Sequence, residues 1–270
     1  MGSPVSPKTL DILCSPLEHA PLEIALEAHL NGEPAQFLCN GEHGLRFPIR
    51  GGVPVFVEPH QISGINSRFR RIYDRCAPIY DLLSRVGLYI LGISEIELRR
   101  DFTASLEIRS GDRVLSTSVG TGSDLPFLPR GCEFYGLDLS PEMLAVCERK
   151  MRRLGVPAEL FLGLAEHLPF KPGSFDVVYQ MGGINFFSDQ ERAIREMVRV
   201  AKKGSKIVIM DETEKVACML EHVPGINAWF RHQRRPIVPP TALIPPGMEQ
   251  LQYRELYDGK AWYLSFRTPR

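Results

Sequence analysis

The chain has 270 residues, 44% hydrophobic and 24% charged, and its 32 basic and 32 acidic side chains cancel to a formal net charge of zero. This is the composition of an ordinary globular protein with a sizeable core, and it excludes a global field that would draw in nucleic acid or an anionic membrane, so any such contact needs a local patch. No apolar run approaches the roughly 20 residues that span a bilayer, and the opening residues do not read as a secretion signal. The six cysteines form no C-x-x-C pair, which predicts reduced thiols in the cytoplasm.

In chain order, residues 8–60 hold short apolar runs broken by Pro and Gly: LDILCSPL, PLEIALEAHL, AQFLCN and LRFPIRGGVPVFV. Their period-two alternation predicts a small strand-rich unit. Residues 61–108 follow a helical rhythm, with Ile72, Ile79, Tyr80, Leu82, Leu83, Val86, Leu88 and Leu91 at helical spacing, and predict two or three helices. Tyr73 and Tyr80, seven apart, share a face if that helix is continuous.

Residues 109–270 alternate strand and helix. RVLSTS, EFYGLD, AELFLG, FDVVYQM and KIVIMD read as strands, with later ones near MEQLQYREL and AWYLSFR. One helix follows Ser140 as N-cap, with Pro141 at its first position and Gly155 past its end. Another is expected from Asp189 to Gly204, with Ile194, Met197, Val198 and Ala201 on one face. PIVPPTALIPPG, 236–247, reads as an extended connection. The alternation predicts an α/β fold, a Rossmann-like doubly wound and mostly parallel sheet.

Ligands of such sheets sit at the carboxyl ends of the strands. The first strand runs into VLSTSVGTGSDL, where Gly120 and Gly122 permit close backbone approach. Asp138 ends the next strand 18 positions after Gly120, placed to accept two ribose hydroxyls. Leu125 stands where a phosphate-binding G-x-G-x-x-G would have its third glycine. A ligand with a ribose but no pyrophosphate suits this loop better than a dinucleotide.

With GLDLSPEML, LGLAEHLPFKPGSFDVVYQMGGINFF and EMVRVAKKGSKIVIMDE in order behind that loop, residues 66–270 resemble the class I S-adenosylmethionine-dependent methyltransferases, and within them the ubiquinone/menaquinone-biosynthesis branch. The resemblance implies S-adenosyl-L-methionine as cofactor. Ser118, Gly120, Thr121 and Gly122 would cradle its methionine part, Asp138 its ribose and Leu139 its adenine. Ala165 and Glu166 would line the adenine edge, and Gln180 would lie beside the transferred methyl. RFRRIYDRCAPIYDLLSRV resembles the branch's helical prelude, which caps the cofactor, and makes Tyr80 a candidate cofactor or substrate contact. Three positions depart from the family pattern: Ser116 replaces an acid, Ser118 the first loop glycine, and Leu164 the acid that pairs with the adenine amino group.

The N-terminal unit resembles a zinc-ribbon-like domain that precedes some methyltransferases, including ones that act on ribosomal RNA. Cys14, Cys39, His43 and either His19 or Glu18 would be the metal ligands, since tetrahedral zinc accepts Cys and His. The second cysteine of the first pair is missing, so a metal-free remnant with buried thiols is the expected state. The resulting division is 8–60 ribbon-like unit, 61–108 prelude and 109–270 methyltransferase domain.

Methyl transfer needs an acceptor held against the sulfonium in a dry pocket, and an acidic acceptor also needs a general base. His222 and His232 are candidate bases, Asn185 a candidate orienting group, and Tyr80 a candidate contact. The expected function is methylation of a small, aromatic or quinone-like acceptor. Two alternatives stay open: an RNA base methyltransferase, served by the basic clusters 67–75 and 230–236, and a cofactor-binding protein that does not methylate.

Overall fold

A computed structural model describes residues 5–28, 34–42, 44–220 and 236–270. After a short helix α1 (Pro7–Leu10), four strands, β1 (Glu23–Ala28), β2 (Pro34–Asn40), β3 (Leu45–Arg50) and β4 (Val53–Pro54), pair antiparallel in chain order. Three helices follow: α2 (Gly64–Cys76), α3 (Tyr80–Ile90) and α4 (Glu95–Ser105). The large sheet contains β5 (Arg113–Ser116), β6 (Glu133–Asp138), β7 (Ala158–Leu162), β8 (Phe175–Met181), β9 (Ala201–Glu212), β10 (Glu249–Leu256) and β11 (Ala261–Arg267), with α5 (Pro141–Leu154), α6 (Gln190–Val200) and α7 (Glu214–Leu220) between strands.

Its order is β10-β11-β9-β8-β5-β6-β7. β7, β6, β5, β8 and β9 pair in parallel, and β11 runs antiparallel between β9 and β10. The α/β class expected from the alternation is the one observed. Strand order reverses between β5 and β8, which is where open α/β sheets leave a crevice.

Alternation along the strands makes two cores. Leu115, Leu137, Phe161, Val178 and Ile207 face Ile194, Met197 and Val200 of α6, whereas Val114, Phe134, Leu160, Val177 and Val208 face Leu98 and Phe102 of α4 and Leu144 and Cys147 of α5. Local signals set α5: the Ser140 hydroxyl accepts from the Met143 amide, and Gly155 closes the helix at φ +64°.

One sequence expectation is corrected, and the condition set on the prelude is not met. The helix expected to reach Gly204 stops at Val200, because Ala201 pairs with Phe175 and the Lys202 ammonium reaches Asp176 at 2.7 Å, which pulls this stretch into β9. The prelude helix is not continuous: Ala77–Ile79 forms a 3-10 turn around Pro78, whose ring cannot continue an α-helix. Tyr73 and Tyr80 meet nonetheless, their ring centroids 6.0 Å apart.

Residues 163–174, between β7 and β8, contain no helix. The N-terminal segment occupies that face instead. The Cys14 amide donates to Pro169 O, the Lys171 amide donates to Ile12 O, and Leu13 is buried against Phe170 within the aromatic group Tyr135, Phe161, Phe170 and Phe175. Beyond β4, the Phe56 amide donates to Leu162 O at 2.8 Å, so the chain caps the free edge of β7. The N-terminal unit and the large sheet therefore share one apolar core. Leu13→Ala, which empties a fully buried site, is expected to cost roughly 2–5 kcal/mol of the whole protein's stability. Urea denaturation followed by circular dichroism and tryptophan fluorescence checks this, the two probes shifting together.

Candidate active site

The cleft sits over the carboxyl ends of β5, β6 and β8 and holds about 930 Å³, part of it open to solvent. Its floor is the loop after β5. Gly120 and Gly122 have φ of +53° and +70°, a region that only glycine enters at little cost. A Cβ on Gly122 would lie 2.6 Å from both Cys147 Sγ and Leu125 Cδ1, whereas one on Gly120 would meet nothing within 4 Å. The Gly120 backbone thus faces open cleft. Ser118 is absent from the positive-φ positions, so this site does not require the family's glycine. Its hydroxyl donates to Gly182 O at 3.1 Å and ties the β5 loop to the β8 loop.

Asp138, at the tip of β6, accepts from the Gly120 amide at 2.7 Å and from the Ser140 amide at 2.9 Å. Burial pushes its carboxyl up to about 6, against the pull of those backbone donors. A carboxylate has about four acceptor sites, so these backbone donors leave acceptor capacity for a ligand hydroxyl. Leu139, Leu164 and Ala165 form the apolar side of the cleft, with Met143 beneath.

The prelude closes the cleft through two Tyr-Asp pairs. Tyr73 and Tyr80 line it, their phenols held protonated by burial. Asp74 accepts from the Ser140 hydroxyl at 2.6 Å and pairs with Arg70 at 2.9 Å. Asp81 accepts from the Thr121 hydroxyl at 2.5 Å and the Ser123 hydroxyl at 3.0 Å, and pairs with Lys150 at 2.7 Å. Each aspartate therefore bonds one of the loops that form the floor. Phe69 stacks on Phe186 at 4.2 Å between centroids, and with Phe187 and the two tyrosines gives the cleft an aromatic wall.

The other expected site residues fall differently. Glu166 lines the cleft, but its carboxylate accepts from the Asn66 carboxamide at 2.9 Å and the Ser188 amide at 3.2 Å, which leaves it a loop tie more than an adenine partner. Gln180 is fully buried and does not line the cleft; its Nε2 donates to Gly182 O, and Met181 and Gly182 occupy the wall instead. Asn185 lies in a neighbouring groove, its carboxamide donating to Glu212 O. Ser116 is buried beneath the floor and does not line the cleft. His222, His232 and His43 lie outside the described residues.

Several site residues went unread in the sequence. Besides Asp74 and Asp81 these are Asn66, Arg99, Asp124 and Asp211. Arg99 lines the cleft, 2.5 Å from Asp124 and 3.1 Å from Glu95. Asp211, next to last in β9, accepts from the Gly183 and Asn185 amides, fixing the turn after β8; burial and the adjacent Glu212 raise its carboxyl well above the usual range. An acid at the tip of KIVIMD was the available signal.

In the N-terminal unit, Cys14 Sγ lies 3.9 Å from His19 Nδ1, and burial pushes the Cys14 thiol up to about 11. Among the described residues no group of three His, Cys, Asp or Glu side chains could hold a metal ion.

Comparison with known proteins fits this geometry. A methyltransferase-domain family model matches residues 115–209. The phosphatidylethanolamine N-methyltransferase of Cereibacter sphaeroides is 32% identical over 154 residues, covering 53% of this chain and 75% of that protein. The chain belongs to the class I S-adenosylmethionine-dependent methyltransferase family. The demethylmenaquinone methyltransferase of Thermotoga maritima is 34% identical over 144 residues (52% of this chain, 60% of that protein). The ubiquinone/menaquinone biosynthesis C-methyltransferase UbiE of Geobacter sp. strain M21 is 32% identical over 158 residues (56% and 66%). The match thus spans less than two thirds of either quinone-pathway relative. In fold, the chain is similar to a SAM-dependent methyltransferase of Thermotoga maritima, with a TM-score of 0.54 at 19% identity, covering 73% of this chain and 98% of that one.

The site fits that family's cofactor: an open glycine backbone, a buried acid with free acceptor sites and an apolar side wall all converge on one cleft. Hydroxyl donors and a cationic ligand favour the ionised form of Asp138, so binding lowers its pKa from about 6. Affinity for S-adenosylmethionine is therefore expected to rise with pH below about 6, by at most tenfold per pH unit, and to level off above it. Calorimetry between pH 5 and 8 checks this, and Asp138→Asn should abolish the slope along with most of the affinity.

Proposed function

We propose that this chain transfers the methyl group of S-adenosylmethionine to a small, aromatic or quinone-like acceptor. The observation that carries the reading is the aromatic wall of Phe69, Tyr73, Tyr80, Phe186 and Phe187, standing over a glycine loop with the buried acid Asp138 beside it. The cofactor would supply an electrophilic methyl on sulfur. Asp138 would hold the ribose, Leu139, Leu164 and Ala165 the adenine, and Ser118, Gly120, Thr121 and Gly122 the methionine part. Tyr80 closes the pocket from the cap, where its neutral phenol offers a hydrogen bond and a flat apolar face. With cofactor and acceptor filling the cleft beneath the prelude, water would be excluded, so that positioning can do most of the catalytic work.

The relatives named for demethylmenaquinone and ubiquinone/menaquinone methylation support this acceptor class. An RNA acceptor is less well supported, because the chain carries no net positive charge and no named relative is an RNA methyltransferase. A labelled-methyl assay on a small-molecule extract and on total RNA decides between them. Label is expected in the apolar small-molecule fraction. Label in RNA, or cofactor binding with no transfer to either pool, overturns the acceptor class, and no binding heat with S-adenosylmethionine or S-adenosylhomocysteine overturns the cofactor reading.

We further propose that the N-terminal unit is a zinc-ribbon-like fold working without metal. The first ligand half-site of the ribbon pattern lacks its second cysteine, and structural zinc calls for four protein ligands. Protein purified with zinc supplied throughout is expected to carry well under one equivalent by elemental analysis. A full equivalent that is lost in a Cys14→Ser variant refutes the proposal.

A further inference from the structure

The helix α3 is turned inside out. It buries none of its residues, and its large apolar side chains face water: Leu82 is 59% exposed, Val86 46%, Tyr89 83% and Ile90 63%, with Ile79 and Leu83 beside them. At 100° per residue the five positions within α3 fall in one stripe about 120° wide, which Ile79 in the preceding turn adjoins. The opposite side carries Tyr80, which lines the cleft, Asp81, which holds the glycine loop, and Leu88, which packs on the core. A contiguous apolar patch on a soluble domain marks an interaction site.

The surrounding charge identifies the partner. Residues 64–90 contain five arginines and two aspartates. Both aspartates are turned inward, Asp74 to Arg70 and Ser140, Asp81 to Lys150 and Thr121. Arg71 and Arg75 stay exposed on the preceding helix α2, and on α3 itself Arg85, one turn from both Leu82 and Tyr89, keeps 71% of its side chain in solvent while pairing with Glu95. An apolar stripe with an exposed arginine at its edge, and two more on the helix before it, fits a helix that lies in the interface of an anionic bilayer. No single helix among the described residues is long and apolar enough to cross a membrane. The stripe of an 11-residue helix is roughly 16 Å by 10 Å, far below the ~800 Å² per partner of a stable dimer.

We propose that α3 seats this protein on the surface of an anionic lipid bilayer, with the capped end of the cleft toward the lipid. The purpose of the docking rests on the acceptor reading above: an apolar, membrane-partitioned acceptor would reach the cleft beneath Tyr80 without crossing water. The docking itself does not depend on that reading and is tested with no acceptor present.

The experiment is co-sedimentation of the full chain with vesicles of phosphatidylcholine alone and of phosphatidylcholine containing phosphatidylglycerol. Binding is expected to favour the anionic vesicles and to weaken with salt. Leu82→Asp and Val86→Asp should each reduce partitioning about tenfold, the order expected for one buried aliphatic side chain, while S-adenosylmethionine affinity stays unchanged because neither residue lines the cleft. Arg85→Glu should remove much of the preference for anionic vesicles. Absence of vesicle binding, equal binding by the aspartate variants, or a dimer in sedimentation equilibrium that those variants dissolve overturns the proposal. Methyl transfer to a soluble acceptor, measured separately, distinguishes failure of the docking from failure of the proposed activity.

Discussion

The hydrogen bond from the Gly120 amide to the Asp138 carboxylate is the tie on which the site depends. It crosses from the loop after β5 to the tip of β6, and the second carboxylate oxygen holds the amide of Ser140, which caps α5. One buried acid thus fixes the glycine loop, a strand end and a helix start. Burial raises its pKa to about 6, so at neutral pH an ionised group is held in a site that disfavours charge, and its backbone donors are what make that tolerable. Asp74, bonded to the hydroxyl of that same Ser140, adds a further repulsion. Cap and floor are therefore coupled electrostatically as well as by contact.

The N-terminal unit serves the site indirectly. A parallel crossover normally carries a helix that covers the sheet, but residues 163–174 supply none. Leu13 against Phe170, and the Phe56 amide on Leu162, cover that face and that edge. The Gly163 amide in turn donates to Asp138 O, so Leu164 and Ala165 are positioned by a β7 edge that the N-terminal segment holds.

What could be read from the sequence follows the range of the signal. Ser140, Pro141 and Gly155 mark α5 because capping acts within a few residues, and Asp138 is legible because its offset from Gly120 is fixed by one strand–loop–strand unit. Asp81 and Asp74 act on residues 40 and 66 positions away, a distance over which a single sequence has no periodicity to offer. For Gln180 the end of a strand is visible in FDVVYQM, but which alternate side chain faces the cleft depends on register, and here Met181 lines it while Gln180 is buried. Periodicity in α3 likewise identifies an apolar stripe without saying which side meets water.

The three departures from the family pattern read differently once placed. Ser118 occupies a backbone position that has no need of glycine, and its hydroxyl joins two loops. Ser116 lies below the floor, out of reach of a ligand. Leu164 alone exchanges a polar cleft contact for an apolar one. Against that single loss stand the added bonds from Asp81 to Thr121 and Ser123, which order the glycine loop before any ligand arrives. A loop already ordered loses less conformational freedom on binding. The prelude therefore preorganises the glycine loop across the cleft from Leu164, and it does so with the polar side of α3, leaving that helix's apolar side turned outward.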